Sequence, residues 1–233
     1  MNDVDDVASL FNAKASSWDR KYSPQGPLSY RVDVFGSLIA GQVQPGAAVL
    51  DFGCGTGTIA RALVQRGFRL TACDVSEQMI ANGKQRHPNT DISWYLLPEG
   101  WKRFPFGDDS FDGIIASSVF EYLDNVDDVL AECCRILRIG GVLIISVPNP
   151  RHFSRKVERA VRPVAELGCR IPGICHLPKI GSYIAYLRVS RSRFSEDQWK
   201  RTASNAGLRP LKVELSEQAP AGGDAMMYLG FQK

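Results

Sequence analysis

Val49-Leu50-Asp51-Phe52-Gly53-Cys54-Gly55-Thr56-Gly57 runs from an apolar strand into a turn with glycine at three alternate positions. Glycine adopts positive φ without strain and carries no Cβ, so the backbone at this corner can touch a bound molecule. In open α/β sheets ligands sit at the carboxyl ends of strands, where this turn lies. The corner therefore predicts a helix after it and a parallel sheet around it.

The same local style repeats along the chain. Residues 47–52, 68–73, 92–97, 111–117 and 142–147 read as strands, the last stopped by Pro148. Residues 58–65, 76–85 and 125–137 read as helices, with Gly140-Gly141 closing the third. Such alternation implies an α/β fold with a doubly wound, Rossmann-like sheet and helices on both faces. Before this core, Leu28, Val32, Phe35 and Ile39 recur at helical spacing, which makes residues 1–44 a helical lead-in over one edge of the sheet. Residues 45–150 form the core. Residues 151–194 differ, with Pro163, Pro172 and Pro178 as interruptions and ten Lys/Arg against two Glu between 151 and 193; they read as a basic insertion. From residue 153 a helix would carry Phe153, Val157, Ala160 and Val161 on one face and Arg155, Arg159 and Arg162 on a basic, solvent-facing one. Residues 195–233, with a helix at 195–206 and strands at 208–215 and 226–231, complete the same domain.

With 233 residues, 44% of them apolar, and a net charge of +3, one large core is expected. No apolar stretch approaches the roughly 20 residues of a membrane span. Asp3, Asp5 and Asp6 stand where a secretory signal would carry Lys or Arg, so a cytoplasmic protein is expected. Six cysteines without a Cys-x-x-Cys pair give neither a disulfide framework nor a zinc site. Cys169, Cys175 and His176 have no fourth ligand at a recognisable spacing, and no metal is expected.

Asp74 follows Gly53 by 21 residues, at the end of the second strand, where a carboxylate can accept both hydroxyls of a ribose. The dinucleotide fingerprint would place its third glycine at position 58, but that residue is Thr58 and the third glycine is Gly57. A nucleoside ligand other than NAD is the expectation. Residues 49–57, Cys73-Asp74-Val75-Ser76, residues 106–112 and the run from Arg135 to Pro148 together resemble the class I S-adenosylmethionine-dependent methyltransferases over roughly residues 45–150. The resemblance implies a seven-stranded sheet, mostly parallel with one antiparallel strand. It implies S-adenosylmethionine as cofactor.

By position in that family's motifs, Asp51, Gly53, Cys54, Gly55 and Gly57 would line the methionine part of the cofactor, and Asp74 would hold the ribose. Val75 would pack near the adenine, and Glu99 would meet the adenine amino group. Trp18-Asp19, residues 27–32 and residues 120–123 are similar to the O-methyltransferases of ubiquinone biosynthesis. That similarity implies that Arg31 pairs with the cofactor carboxylate and that Ser117 lines the cofactor.

The same family builds its acceptor pocket after the fifth strand, so His152 and His176 become candidates for a general base there. Glu121 and Tyr122 are further candidates. The expected activity is methyl transfer to a small-molecule or lipid-like acceptor, at oxygen. The basic segment 151–193 would act as a lid that attracts an anionic or lipid-borne acceptor, with peripheral contact at the inner membrane surface. Two rival readings are a nucleic-acid methyltransferase and a cofactor-binding regulatory protein without turnover. Nucleic acid is disfavoured, because Pro148-Asn149-Pro150 follows the fifth strand whereas the catalytic motif of amino-methylating enzymes follows the fourth.

Overall fold

The structure, a computed structural model, describes residues 3–98, 100–168, 178–190, 194–214 and 225–233. Its centre is a sheet of Ala48–Phe52 (β1), Arg69–Asp74 (β2), Ile92–Leu96 (β3), Phe111–Ser117 (β4), Leu137–Pro148 (β5), Arg209–Leu211 (β6) and Met226–Gln232 (β7). The seven strands lie in the order β3-β2-β1-β4-β5-β7-β6. β1 to β5 pair in parallel, and β7 runs antiparallel to both β5 and β6. The chain order reverses between β1 and β4, and at such a switch point the strand ends leave a crevice.

Alternation along the strands sorts the core into two layers. Leu50, Ile114, Ala116, Leu143 and Ile145 are buried on one face with Leu130 and Cys133 of helix Val126–Ile136 (α5) and Trp199 of Glu196–Asn205 (α8). Val49, Ile115, Val142 and Ile144 are buried on the other face. There they meet Phe35 and Ile39 of Tyr30–Ala40 (α2) and Ile59 and Leu63 of Thr58–Gln65 (α3). The lead-in helix α2 therefore covers a face of the sheet and not its edge. The remaining helices are Asp3–Lys14 (α1), Glu77–Arg86 (α4), Phe153–Gly168 (α6) and Pro178–Val189 (α7), with a 3-10 stretch at Ala15–Tyr22. None is long and apolar enough to cross a membrane among the described residues.

Three expectations need correction. Gly140-Gly141 does not close a helix: α5 ends at Ile136 and the chain turns straight into β5, whose register against β4 shifts between Phe111 and Gly113. The strand expected at 208–215 is only three residues long among the described residues. Two of the three arginines on the basic face of α6 do not look outward. Arg155 is half-buried and donates to both Glu158 Oε1 and the Tyr186 hydroxyl at 2.7 Å, and Arg162 donates to the Ser190 carbonyl at 2.6 Å. The apolar face is the one in solvent, with Phe153 76%, Val157 41% and Val161 38% exposed. Periodicity showed two faces; the pairing of the arginines with α7 decided which one turned inward.

Candidate functional site

The glycine corner is fastened to the end of β2. Gly53 and Cys54 both donate their backbone N–H to the Cys73 carbonyl, at 2.8 and 3.0 Å. Asp74 then accepts from Gly55 N–H at 2.8 Å and from Ser76 N–H at 2.9 Å, one bond to each carboxylate oxygen. A residue expected only to hold a ligand thus also folds the loop. Gly55 sits at φ 55°, and a Cβ there would come within 2.8 Å of Trp18 Nε1, so glycine is required on both counts.

Above this corner lies a cavity of about 510 Å³. Gly53, Gly55 and Asp74 line it from the strand ends, Val75 and Trp101 from one side, and Ser117, Ser118 and Tyr122 from another. Val7, Phe11, Trp18 and Tyr22 of the N-terminal segment also line it and roof it over. The roof is pinned by polar contacts to the loop and to α4. Ser76 Oγ donates to Asn12 Oδ1 at 2.6 Å. The Thr56 hydroxyl donates to Asp19, whose other oxygen meets Arg86 Nε at 2.5 Å. Phe11 stacks edge-on against both Trp18 and Tyr122, with centroids 5.5 and 5.2 Å apart.

Two opposite charges are buried at this site without full partners. Arg31, 7% exposed, donates through Nη1 to Ser118 Oγ at 2.8 Å and Ser117 Oγ at 3.2 Å, while its Nε has no hydrogen-bond partner. It has no carboxylate partner among the described residues. Burial alone would lower its pKa, but the phenols of Tyr22 and Tyr30 around it hold the guanidinium above its usual range. Asp51, 2% exposed, has one oxygen, Oδ2, without a partner. Desolvation, and then the neighbouring Asp74, push its carboxyl up to about 7. Burial raises the Tyr22 phenol; the Arg31 guanidinium acts against that rise and Asp51 adds to it.

The expected site residues divide accordingly. Arg31, Gly53, Gly55, Asp74, Val75 and Ser117 line the cavity together. Gly57 caps α3 behind it, and Asp51 and Cys54 are buried or half-buried in the corner without lining it. Burial pushes the Cys54 and Cys73 thiols well above their usual range, which favours the neutral thiol over the thiolate. His152 does not line the cavity; its Nδ1 is 2.8 Å from Ser154 Oγ, a local turn contact. Glu121 is buried at 4% exposure and is likewise outside the lining, whereas its neighbour Tyr122 is inside. Burial, and then Glu121, raise the Tyr122 phenol well above its usual range and keep it protonated. Glu99 and His176 lie outside the described residues. Sequence reasoning missed Ser118, Phe11, Tyr22 and Trp101. Ser118 is a non-glycine residue at φ 55°, and such strain concentrates at functional sites but leaves no mark in a sequence.

Residues 50–145 match the methyltransferase domain family. The chain is 34% identical over 140 residues to a malonyl-[acyl-carrier protein] O-methyltransferase of Serratia marcescens, covering 60% of this chain and 51% of that protein. It is 31% identical over 144 residues to a demethylmenaquinone methyltransferase of Thermobifida fusca, covering 61% of each. The chain thus spans about half to three fifths of the length of these curated relatives. Among solved structures, magnesium protoporphyrin IX methyltransferase from Synechocystis, determined with bound SAH, superposes with a TM-score of 0.67 at 16% identity, covering 97% of this chain and 98% of that one. A SAM-dependent methyltransferase from Aquifex aeolicus gives 0.62 at 18% identity, covering 94% and 97%. The shared fold is the seven-stranded sheet described above.

Proposed function

We propose, from the match of residues 50–145 to the methyltransferase domain family, that this protein transfers the methyl group of S-adenosylmethionine to a small-molecule or lipid-like acceptor, at oxygen. One observation carries the reading. A buried guanidinium nitrogen of Arg31, which lines the cavity, and a buried carboxylate oxygen of Asp51, in the glycine corner behind it, both lack hydrogen-bond partners. The ammonium and carboxylate of an amino-acid ligand would satisfy these two orphans. Asp74 keeps lone pairs for a ribose beside its two backbone bonds, and Val75 and Trp101 offer apolar surface to a base.

When bound, S-adenosylmethionine supplies an activated methyl group on a sulfonium. The protein's own part is to hold its ligands in line and exclude water. The N-terminal roof serves exclusion, through Trp18 against the glycine corner and Phe11 against Tyr122. No histidine lines the cavity among the described residues, and the protonated Tyr122 phenol is a hydrogen-bond donor rather than a base. Positioning and desolvation are therefore the main contributions of these side chains. The rival motif Pro148-Asn149-Pro150 is occupied otherwise: Asn149 donates its N–H to the Ala225 carbonyl and accepts from Arg151 N–H, each at 3.0 Å.

The acceptor is anionic or lipid-borne and is met at a membrane surface. Support comes from α6, whose exposed Phe153, Val157 and Val161 form a stripe beside exposed Arg151 and Lys156. The helix is joined through Arg155 and Tyr186 to Tyr122 at the cavity, so α6 and α7 serve as a lid between membrane and acceptor. Incubation of the protein and a cell extract with radiolabelled S-adenosylmethionine tests the activity. Label is expected in the small-molecule or lipid fraction; label in nucleic acid, or in no fraction, would overturn the proposal.

A further inference from the structure

Tyr122 stands where the cavity, the N-terminal roof and the lid helices meet. It ends the 3-10 turn Phe120–Tyr122, which follows the left-handed Ser118 at the end of β4, and it lines the cavity. Its ring is clamped edge-on from two sides, by Phe11 of α1 with centroids 5.2 Å apart and by Tyr186 of α7 with centroids 6.5 Å apart. Tyr186 is held in turn by Arg155 of α6, whose guanidinium donates to its hydroxyl at 2.7 Å. The methyl-donor reading uses Arg31, Asp51, Asp74, Val75 and Trp101, and it leaves Tyr122 for the acceptor on the wall shared by roof and lid.

The polar groups of this wall are donors. Burial and the neighbouring Glu121 keep the proton on the Tyr122 phenol, while Arg31 and Arg155 both act on it as cations. Ser118 Oγ accepts from Arg31 at 2.8 Å and keeps its own proton to donate. Such a wall suits an acceptor oxygen that arrives without a proton to lose. In a carboxylate the two oxygens divide the work, one accepting from Tyr122 while the other attacks the methyl carbon. The new C–O bond forms as the C–S bond breaks, and the electron pair of the broken bond returns to sulfur. Sulfonium and carboxylate then become thioether and methyl ester, with no proton transferred. An alcohol would also need a base for its proton. Asp124, an exposed carboxylate of the lining, is the base that a hydroxyl acceptor would use, and a methyl ether would then be the product.

Resting on the methyltransferase reading, we infer that the acceptor group is a carboxylate, held at its non-reacting oxygen by the Tyr122 hydroxyl, and that the product is a methyl ester. Tyr122 is then a residue that sets specificity for the acceptor and not for the methyl donor.

Transfer from methyl-tritiated S-adenosylmethionine into a heat-inactivated cell extract, followed by mild alkali, decides the product class. A methyl ester releases its label as volatile methanol, whereas ethers and methylated amines keep it. Volatile label is expected from the native chain. Tyr122→Phe keeps the ring and both of its edge contacts. Its transfer rate is expected to fall about tenfold or more, with an unchanged KM for S-adenosylmethionine and an unchanged calorimetric affinity for S-adenosylhomocysteine. Alkali-stable label would overturn the carboxylate assignment. A rate equal to that of the native chain, or a parallel loss of S-adenosylhomocysteine affinity, would overturn the role of Tyr122. No label from the native chain in any fraction would instead overturn the methyltransferase reading, and the carboxylate assignment with it.

Discussion

Arg31 Nη1 donates to Ser118 Oγ at 2.8 Å, tying the first turn of α2 to the left-handed residue that follows β4. The contact spans 87 positions in sequence and sets a buried guanidinium at the crevice formed where the strand order reverses. Its unpartnered Nε gives it spare capacity for an anion.

Arg31→Gln should therefore weaken S-adenosylhomocysteine by about tenfold or more while leaving methylthioadenosine, which lacks the amino-acid carboxylate, nearly unchanged. Calorimetric titration of both ligands against both proteins checks this. A parallel loss for the two ligands would mean that Arg31 only supports the fold.

Asp51 gives a pH dependence. Its folded carboxyl is raised to about 7, so between about pH 4 and 7 the folded chain holds a proton that the unfolded chain has released. The stability from this group is complete below the unfolded pKa and is lost as pH rises through the folded one. A ligand ammonium favours the ionised carboxylate, so binding at about pH 6 should expel a proton and affinity should rise with pH until about 7. Calorimetry in buffers of different ionisation enthalpy measures that proton. It should disappear in Asp51→Asn; proton release identical in the two proteins would rule out the assignment.

Gly57 caps α3 at φ 76°, and a Cβ there would lie 2.3 Å from Trp94 Cη2. Gly57→Ala should cost about 2–4 kcal/mol, from left-handed strain and overpacking together. Denaturant titration reads this directly. A loss under about 0.5 kcal/mol, the range of ordinary surface changes, would show that Trp94 yields freely.

The corner from Val49 to Gly57 and Asp74 were legible in the sequence because their structure is local: a strand, a turn that needs positive φ, and a carboxylate one strand away. The roof was not. Trp18 and Tyr22 stand out as aromatic residues in a polar stretch, but their place over Gly55 depends on Asp19 reaching Thr56 and Asn12 reaching Ser76, contacts 37 and 64 positions apart. Gly140 reads as a helix stop, yet it serves at φ 80° inside β5, where the strand departs from its register with β4. His152 was drawn toward the site by its position after β5, and its hydrogen bond to Ser154 keeps it in a local turn.

The outward stripe on α6 predicts lipid binding. Phe153→Ser/Val157→Ser should weaken binding to phosphatidylglycerol-containing liposomes, read by sedimentation, by about a hundredfold or more, since each buried apolar side chain contributes about 1.5–3 kcal/mol. Unaltered sedimentation, or none for the native chain, would remove the membrane contact.

A crystal structure of the protein with S-adenosylhomocysteine tests the central claim most directly. The account predicts the ligand in the roofed cavity, its carboxylate on Arg31, its ammonium toward Asp51, its ribose hydroxyls on Asp74 and its base against Val75 and Trp101. A ligand bound elsewhere, or one in the cavity with Arg31 and Asp51 still unpartnered, would contradict it.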